Sequence, residues 1–509
     1  MNRRTVLLSG VALAVCGAAL IGRRLWSGDT MGGMTGMNMD HSMGTAPAAE
    51  AQTSRIMTLP EGAALKPLTK LANTSSKPGV FDARLTAAPV NVEFSPGKST
   101  TVLAYNGTTP GPMIEATEGD RVRIEFVNAI PDQPSTIHWH GIAVPPDQDG
   151  GPMEPVATGT SRFYEFTLAA NTAAPTWYHP HPHGLTDQQV YRGLAGAFIV
   201  KPKIDPLPAE LGDTVLFISD LRLASDGSIP GNGAADMMNG REGDHLLVNG
   251  QKNPVLTVNP GSSQRFRLFN ATNARFLRLA FEGHEMTLVG TDGGLLASPV
   301  VGFSEMLLAP GERAEIVIHF KAAPGAFRLQ ALGYERGWMG QGKPDGATKS
   351  VLTVNLAGDV KTPIALPTKL RDVADLGAAV ANKRVLFSET MSMAGGGMTM
   401  GYLIDGRKFD MNRIDQTSKV NDVELWEVIN TADMDHPFHM HGTQFQIVER
   451  EKNNKKAPAP FLAWKDTANI TSGETLRIKV RQQFAGRRMY HCHVLEHESQ
   501  GMMAVLNVV

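Results

Sequence analysis

The chain predicts an all-β protein built from three consecutive β-sandwich domains, and three observations carry that prediction. Glycine (52) and proline (32) punctuate short alternating runs such as RVRIEFVN at 121–128, TVLFISDL at 214–221 and RAEIVIHF at 313–320. Such runs fit strands, and no long helical period interrupts them. A turn dipeptide, an alternating strand and a closing asparagine then recur three times: Asn106-Gly107 before Asn128, Asn249-Gly250 before Asn270, and Asp405-Gly406 before Asn430. A repeat of that kind reads as three copies of one sandwich. A length of 509 residues leaves room for them.

Taken in order, residues 1–30 open with Arg3-Arg4 and continue through the apolar run VALAVCGAALI to a second basic pair, Arg23-Arg24. This resembles a twin-arginine export signal, which implies a periplasmic protein with no stable membrane association after the signal is removed. The rival reading is a retained anchor, although about 16 apolar residues fall just short of a span. Residues 31–60 begin MGGMTGMNMDHSMG and read as a Met-rich flexible linker whose thioethers could also collect soft cations. The three domains are expected at 61–205, 206–362 and 363–509.

Charge and cysteine usage narrow the classes. A net charge of -2, with 19% charged residues, argues against a nucleic-acid binder. Of two cysteines, Cys16 lies in the leader and Cys492 near the C-terminus, so the mature chain has no internal disulfide. For an exported protein that suggests a thiol with another task, such as metal ligation.

Eight of the 15 histidines form His-x-His pairs: His138/His140, His179/His181, His439/His441 and His491/His493. In a strand, residues i and i+2 face the same way, so each pair aims two imidazoles at one place. Eight converging imidazoles are a metal cluster. Cys492, between His491 and His493, must face the opposite way, toward a second metal site on the same strand. After Asn128 and Asn430 come histidine pairs, whereas ARFLRLAF after Asn270 has none. The middle domain therefore has the scaffold without the ligands, and the cluster must lie between the first and third. His245, His284 and His319 read as ordinary polar residues.

The motifs HWHG, WYHPHPHG, HPFHMHG and HCHVLEHESQGMM resemble the copper signatures of the multicopper oxidase family. The resemblance covers residue 60 to the C-terminus and implies three cupredoxin-like Greek-key β-sandwiches holding four copper ions. It implies a type 1 copper on His436, Cys492 and His497, with Met502 as weak axial ligand and Met503 as its rival. His138 and His439 would take the type 2 copper. His140, His179, His181, His441, His491 and His493 would hold the type 3 pair. Asp149 and Glu498 stand where the family keeps proton-donating carboxylates, while His183 is not expected to ligate. Trp139 and Trp177 are expected to pack around the cluster.

The implied activity couples oxidation of phenols, aromatic amines or Cu(I) at the type 1 site to reduction of O2 to water. Asp433, Met434 and Asp435, beside His436, are expected to line the reductant's approach, with Met398 and Met400 of the segment ETMSMAGGGMTMG nearby. That segment, with Met391 and Met393, is shorter than the Met-rich cover of dedicated cuprous oxidases, which predicts an open cleft. A dedicated cuprous oxidase and a copper-sequestering protein are the alternatives. A copper-free cell-division scaffold of the same fold would have lost the ligands that this chain keeps.

Overall fold

The computed structural model describes residues 57–509, apart from 341, 345, 395, 396 and the side chains of 392–399. The expected leader and the Met-rich run at 31–44 lie outside the described residues. Among those described, α-helix is confined to Thr186–Tyr191, Ala234–Asn239 and Leu495–Ser499, and strands make up most of the ordered backbone.

Six sheets fall into three pairs along the chain. The first pair has four strands in each sheet and is drawn from Val80–Ser95 through Gly196–Lys201. The second pair has seven and five strands, from Thr214–Leu221 through Lys349–Leu356, and the third has six and five, from Ala381–Ala394 through Met503–Val508. Each pair encloses its own apolar core, centred on Trp139 and Phe126 in the first, Phe266 and Ile316 in the second, and Trp426 and Phe438 in the third. Alternation explains the packing: Val122, Ile124 and Phe126 are buried while Arg121, Arg123 and Glu125 look outward. A smaller core joins the domains, with Trp177 and Val190 of the first, Phe217 and Phe269 of the second and Leu495 of the third.

The repeat seen in the sequence is one folding device used three times. Asn106, Asn249 and Asp405 take φ of 50°, 51° and 51°, and the glycine after each is also left-handed, as a two-residue hairpin turn requires. Their side chains accept from the backbone N–H of Thr86, Phe217 and Leu386. At the far end, the amide of Asn128 donates to Gln133 O and Val156 O, that of Asn270 to Arg275 O and Leu308 O, and that of Asn430 to Met434 O and Ile470 O. Each asparagine thus pins the loop leaving its strand and satisfies carbonyls that would otherwise be buried unpaired.

The chain's approach to the first sandwich is not slack. Residues 57–70 bridge to the middle domain at Glu61↔Lys252 and Ala64↔Val255 and to the first at Lys70↔Met113. His245 bonds the carbonyl of Met57 at 2.7 Å, His319 bonds Ser263 Oγ at 2.6 Å, and His284 bonds Glu282 O at 2.8 Å. Those three histidines have structural partners away from the clustered pairs.

Candidate metal centre

Strand pairing sets five of the eight imidazoles, and His181, His441 and His493 follow just beyond the strand ends. His138–His140 runs antiparallel to Ala174–His179 with His138 opposite His179, and His436–Met440 runs antiparallel to Gly486–Cys492 with His439 opposite His491. The two end domains bring these strand pairs face to face. His138 Nε2 lies 3.4 Å from His439 Nε2, His181 Nε2 lies 3.3 Å from His491 Nε2, and His441 Nε2 lies 3.0 Å from His491 Nε2. His140, His179 and His493 close the group with ring centres 4.9–5.7 Å apart. All eight are wholly buried.

The hydrogen-bond partners fix which ring nitrogen is free. Nδ1–H donates to a carbonyl in His138 (Asp149 O, 3.1 Å), His179 (Pro180 O, 3.0 Å), His439 (Asp466 O, 2.9 Å) and His491 (Cys492 O, 2.8 Å). In His441 it donates to Asp149 Oδ2 at 2.7 Å. Each of these leaves Nε2 as a donor atom, as a metal-ligating imidazole does. Burial, first of all, holds His140, His179, His181, His439, His441 and His493 well below the usual imidazole range and His491 down to about 3, so these rings are neutral. His140 Nδ1, His179 Nε2 and both nitrogens of His493 are buried without a protein partner. An unpartnered buried polar atom costs about 1–3 kcal/mol, and ligation of a metal is the role that removes that cost here.

Cys492 faces away from this cluster, into the core of the third domain. His436 Nδ1 is 3.3 Å from its Sγ and 3.4 Å from His497 Nδ1. The Val494 N–H donates to the sulfur at 3.3 Å. Burial pushes the Cys492 thiol far up, so a thiolate here requires a cation to hold it. Met502 is fully buried in the same core as Cys492, whereas Met503 pairs with His491 and packs with Met489 and Val505. That division favours Met502. Two imidazoles, a thiolate and a thioether suit copper of the electron-transfer kind, and clustered imidazoles suit copper as well.

The carboxylates expected at the cluster are there. Asp149, nearly buried, binds His441 through Oδ2 and His138 through its carbonyl, and its wall borders a cavity of about 380 Å³ also lined by Glu154 and Arg488. Glu498 is fully buried, accepts from Thr186 at 3.4 Å, and lies 4.0 Å from His181 Nδ1. Burial raises its carboxyl well above the usual range, which makes it a held proton. His183 is exposed and packs edge-on to Phe409 at 5.0 Å, outside the cluster. Trp177 lies against His140 and His179 at 4.9 and 4.5 Å, and Trp139 fills the first core.

The expected reductant wall needs correction. Met434 is fully buried in the third core, because the loop pinned by Asn430 turns it inward. Asp435 is buried too, accepting from Tyr334 Oη at 2.6 Å and Asn469 Nδ2 at 3.0 Å, which makes it a fastener between the second and third domains. Only Asp433 of the three is exposed. Met400 is half-buried against the third core, and the Met398 side chain lies outside the described residues. The open cleft is overturned as well. His436 is wholly buried, and its Nε2–H donates to Glu389 Oε1 at 3.1 Å.

Glu389 begins the segment ETMSMAGGGMTMG, which forms an antiparallel hairpin of Ala381–Ala394 and Gly397–Ile404 rather than a detached flap. Its register sets Glu389 against Tyr402 and Met391 against Met400. Tyr402 stacks on His497 with ring centres 3.9 Å apart and planes 11° apart. Both imidazoles beside Cys492 are therefore walled by this hairpin. Asp466, reached by His140 Nε2 at 2.9 Å, and its partner Arg313 were likewise missed by sequence reasoning. No short-range pattern marks either; Glu389 stood in a segment read for its methionines.

Comparison with known proteins agrees with this geometry. Multicopper oxidase family profiles match residues 86–205, 218–352 and 382–509, one for each pair of sheets. A multicopper oxidase of Staphylococcus haemolyticus is 33% identical over 84% of this chain and 89% of its own length. A laccase of Bacillus subtilis is 29% identical over 80% and 90%, and the cell division protein FtsP of Proteus mirabilis is 30% identical over 83% and 89%. Among solved structures, a Campylobacter jejuni multicopper oxidase described as a metallo-oxidase superposes with TM-score 0.84 at 39% identity, covering 90% of this chain and 98% of that one. The chain belongs to the multicopper oxidase family. It is thus an oxidoreductase of the class that uses O2, with cupredoxin-like domains.

Proposed function

We propose that this protein is a four-copper oxidase that takes electrons from a metal cation, foremost Cu(I), beside His436 and spends them on O2 at the eight-histidine cluster. His436, Cys492 and His497 would hold a copper suited to one-electron transfer, and the eight imidazoles would hold three coppers suited to four-electron reduction of O2 to water. The observation that carries the choice of reductant is Glu389. Its carboxylate accepts the Nε2–H of His436 at 3.1 Å, and its side chain is 7% exposed where that imidazole is wholly buried. A carboxylate there attracts a cation and places it one hydrogen bond from the ligand ring, and the Met391/Met400 register pair adds soft thioethers to the same hairpin.

The chain itself provides the remaining parts. Cys492 is covalently continuous with His491 and His493, so an electron leaving the thiolate has a bonded route to the cluster. Water formation consumes protons, for which Glu498 is held protonated by burial while Asp149 borders the cavity beside the cluster. The resemblance of residues 1–30 to a twin-arginine export signal supports a periplasmic setting for this work. A second reading, oxidation of phenols or aromatic amines, is favoured by the laccase relative and by the ability of Glu389 to accept a phenolic proton. Sequestration alone would need neither the buried acid nor a thiolate threaded between two cluster ligands.

Oxygen uptake with Cu(I) and with 2,6-dimethoxyphenol, for the parent and for Glu389→Gln, tests this reading. Both reductants should drive uptake in the parent, and Glu389→Gln should lose at least about tenfold of kcat/KM for Cu(I), one lost charge contact being worth about 1.4 kcal/mol. No uptake with either reductant by the copper-loaded parent would refute the oxidase reading, and an unchanged Cu(I) value would refute the role of Glu389.

A further inference from the structure

We infer that Arg313, supplied by the middle domain that ligates nothing, is a positioning residue for the cluster: through Asp466 it fixes which nitrogen His140 presents. The inference rests on the four-copper reading above. His140 differs from the five imidazoles anchored by Nδ1–H. Its Nε2 lies 2.9 Å from Asp466 Oδ1, which can only accept, and 3.0 Å from Thr467 Oγ1, so Nε2 carries the proton. Its Nδ1 is the buried atom left without a partner. Reversing that tautomer would turn a proton toward the cluster in place of a lone pair and leave Asp466 facing a bare nitrogen.

Asp466 cannot choose its own orientation, because Arg313 grips both of its oxygens. Nη1 donates to Oδ1 at 2.7 Å and Nη2 to Oδ2 at 2.5 Å, the two-pronged geometry particular to arginine. The rest of the guanidinium is tied down as well: Nε donates to Pro175 O of the first domain at 2.8 Å, and Nη1 to Gly311 O of the second at 2.8 Å. Its backbone N–H binds Asp292 Oδ1 at 2.7 Å, and Asp292 meets Lys465, the neighbour of Asp466, at 2.9 Å. One buried side chain thereby references all three domains to a single carboxylate at the cluster.

A second, independent observation is the glycine that ends HWHG. Gly141 has φ of +89°, and a Cβ there would stand 2.5 Å from Arg313 Nη2 and 2.6 Å from Asp466 Oδ2. The residue after the ligand His140 must lack a side chain because the arginine–carboxylate pair occupies that space.

The test compares Arg313→Lys, which keeps the charge but cannot grip both oxygens, with Asp466→Asn and Gly141→Ala. Each is loaded with copper and then titrated with a chelator. Copper per chain, the near-ultraviolet absorption of the type 3 pair, and the blue absorption of the Cys492 site are followed together. The variants should lose cluster copper at about 10- to 100-fold lower chelator than the parent, with the blue absorption unchanged. Should Arg313→Lys fail to fold, Asp466→Asn, which leaves the arginine in place, decides the question. Cluster copper as resistant as in the parent would overturn the inference. So would parallel loss of blue and cluster copper, since that signature belongs to general loosening. A parent chain that never takes up cluster copper would instead refute the four-copper reading.

Discussion

The middle domain and its two neighbours share a scaffold and differ in what hangs from it. Asn270 pins its loop with the same two bonds as Asn128 and Asn430, and Asn249 makes the same turn as Asn106 and Asp405. Yet ARFLRLAF after Asn270 carries no histidine, while the segments after Asn128 and Asn430 carry His-x-His pairs. Pinning the loop is therefore a folding device, and the histidine cluster is a separate layer added in the end domains. The middle domain's part is mechanical: Arg313 and Asp292 hold Asp466 and Lys465 of the third domain.

The greatest loss should come from the end domains. His138→Ala or His439→Ala, whose Nε2 atoms meet across the domain boundary, should abolish oxygen reduction while the blue site remains reducible in rapid mixing. Retained oxygen reduction in either would place the cluster elsewhere. Asp149→Asn should next slow turnover by about 10²- to 10⁴-fold, the range of a lost proton donor, with copper content at saturation unchanged. Loss of copper in step with turnover would recast Asp149 as chiefly a holder of His441.

Smaller effects separate scaffold from ligation more finely. Asn270→Ala and Asn430→Ala should each destabilise by about 1–3 kcal/mol in denaturant titration, because each strands two buried carbonyls. Only Asn430→Ala should weaken the blue absorption, since it frees the loop that leads to His436. Equal copper loss in both would mean that the two layers are not separable. In the metal-free protein, the buried neutral imidazoles predict an acid limb. Their folded-state values lie below the unfolded value of about 6.5, so the unfolded chain binds more protons there. That stability is present above about pH 6.5 and is lost as pH falls toward the folded values, reaching about 3 for His491. A melting temperature that stays flat across this window would contradict it.

Much of the fold and cluster was legible because strand geometry has a period of two, which His138–His140 obeys directly, while His179, His439 and His491 stand at or near strand ends with His181, His441 and His493 just beyond them. The recurring Asn128, Asn270 and Asn430 exposed the triplication for the same local reason. What failed was whatever depends on tertiary direction. Met434 and Asp435 sit beside His436 in sequence, yet the Asn430-pinned loop turns one into the core and the other toward Tyr334. Glu389 is 47 residues from the His436 that it caps, and Arg313 is 153 residues from the Asp466 that it grips. No local pattern encodes such pairings, so those residues became visible only in the folded chain.

If electrons enter at Cys492 and leave at an eight-histidine cluster that is structurally distinct from it, the two sites must be separable by one substitution. Copper content, visible spectrum and oxygen uptake of Cys492→Ser measure that separation. The variant should show no blue absorption and no reductant-driven uptake, with the cluster's copper and its near-ultraviolet absorption retained. A blue Cys492→Ser protein, or one that still consumes oxygen with Cu(I) or a phenol, would contradict this division of labour.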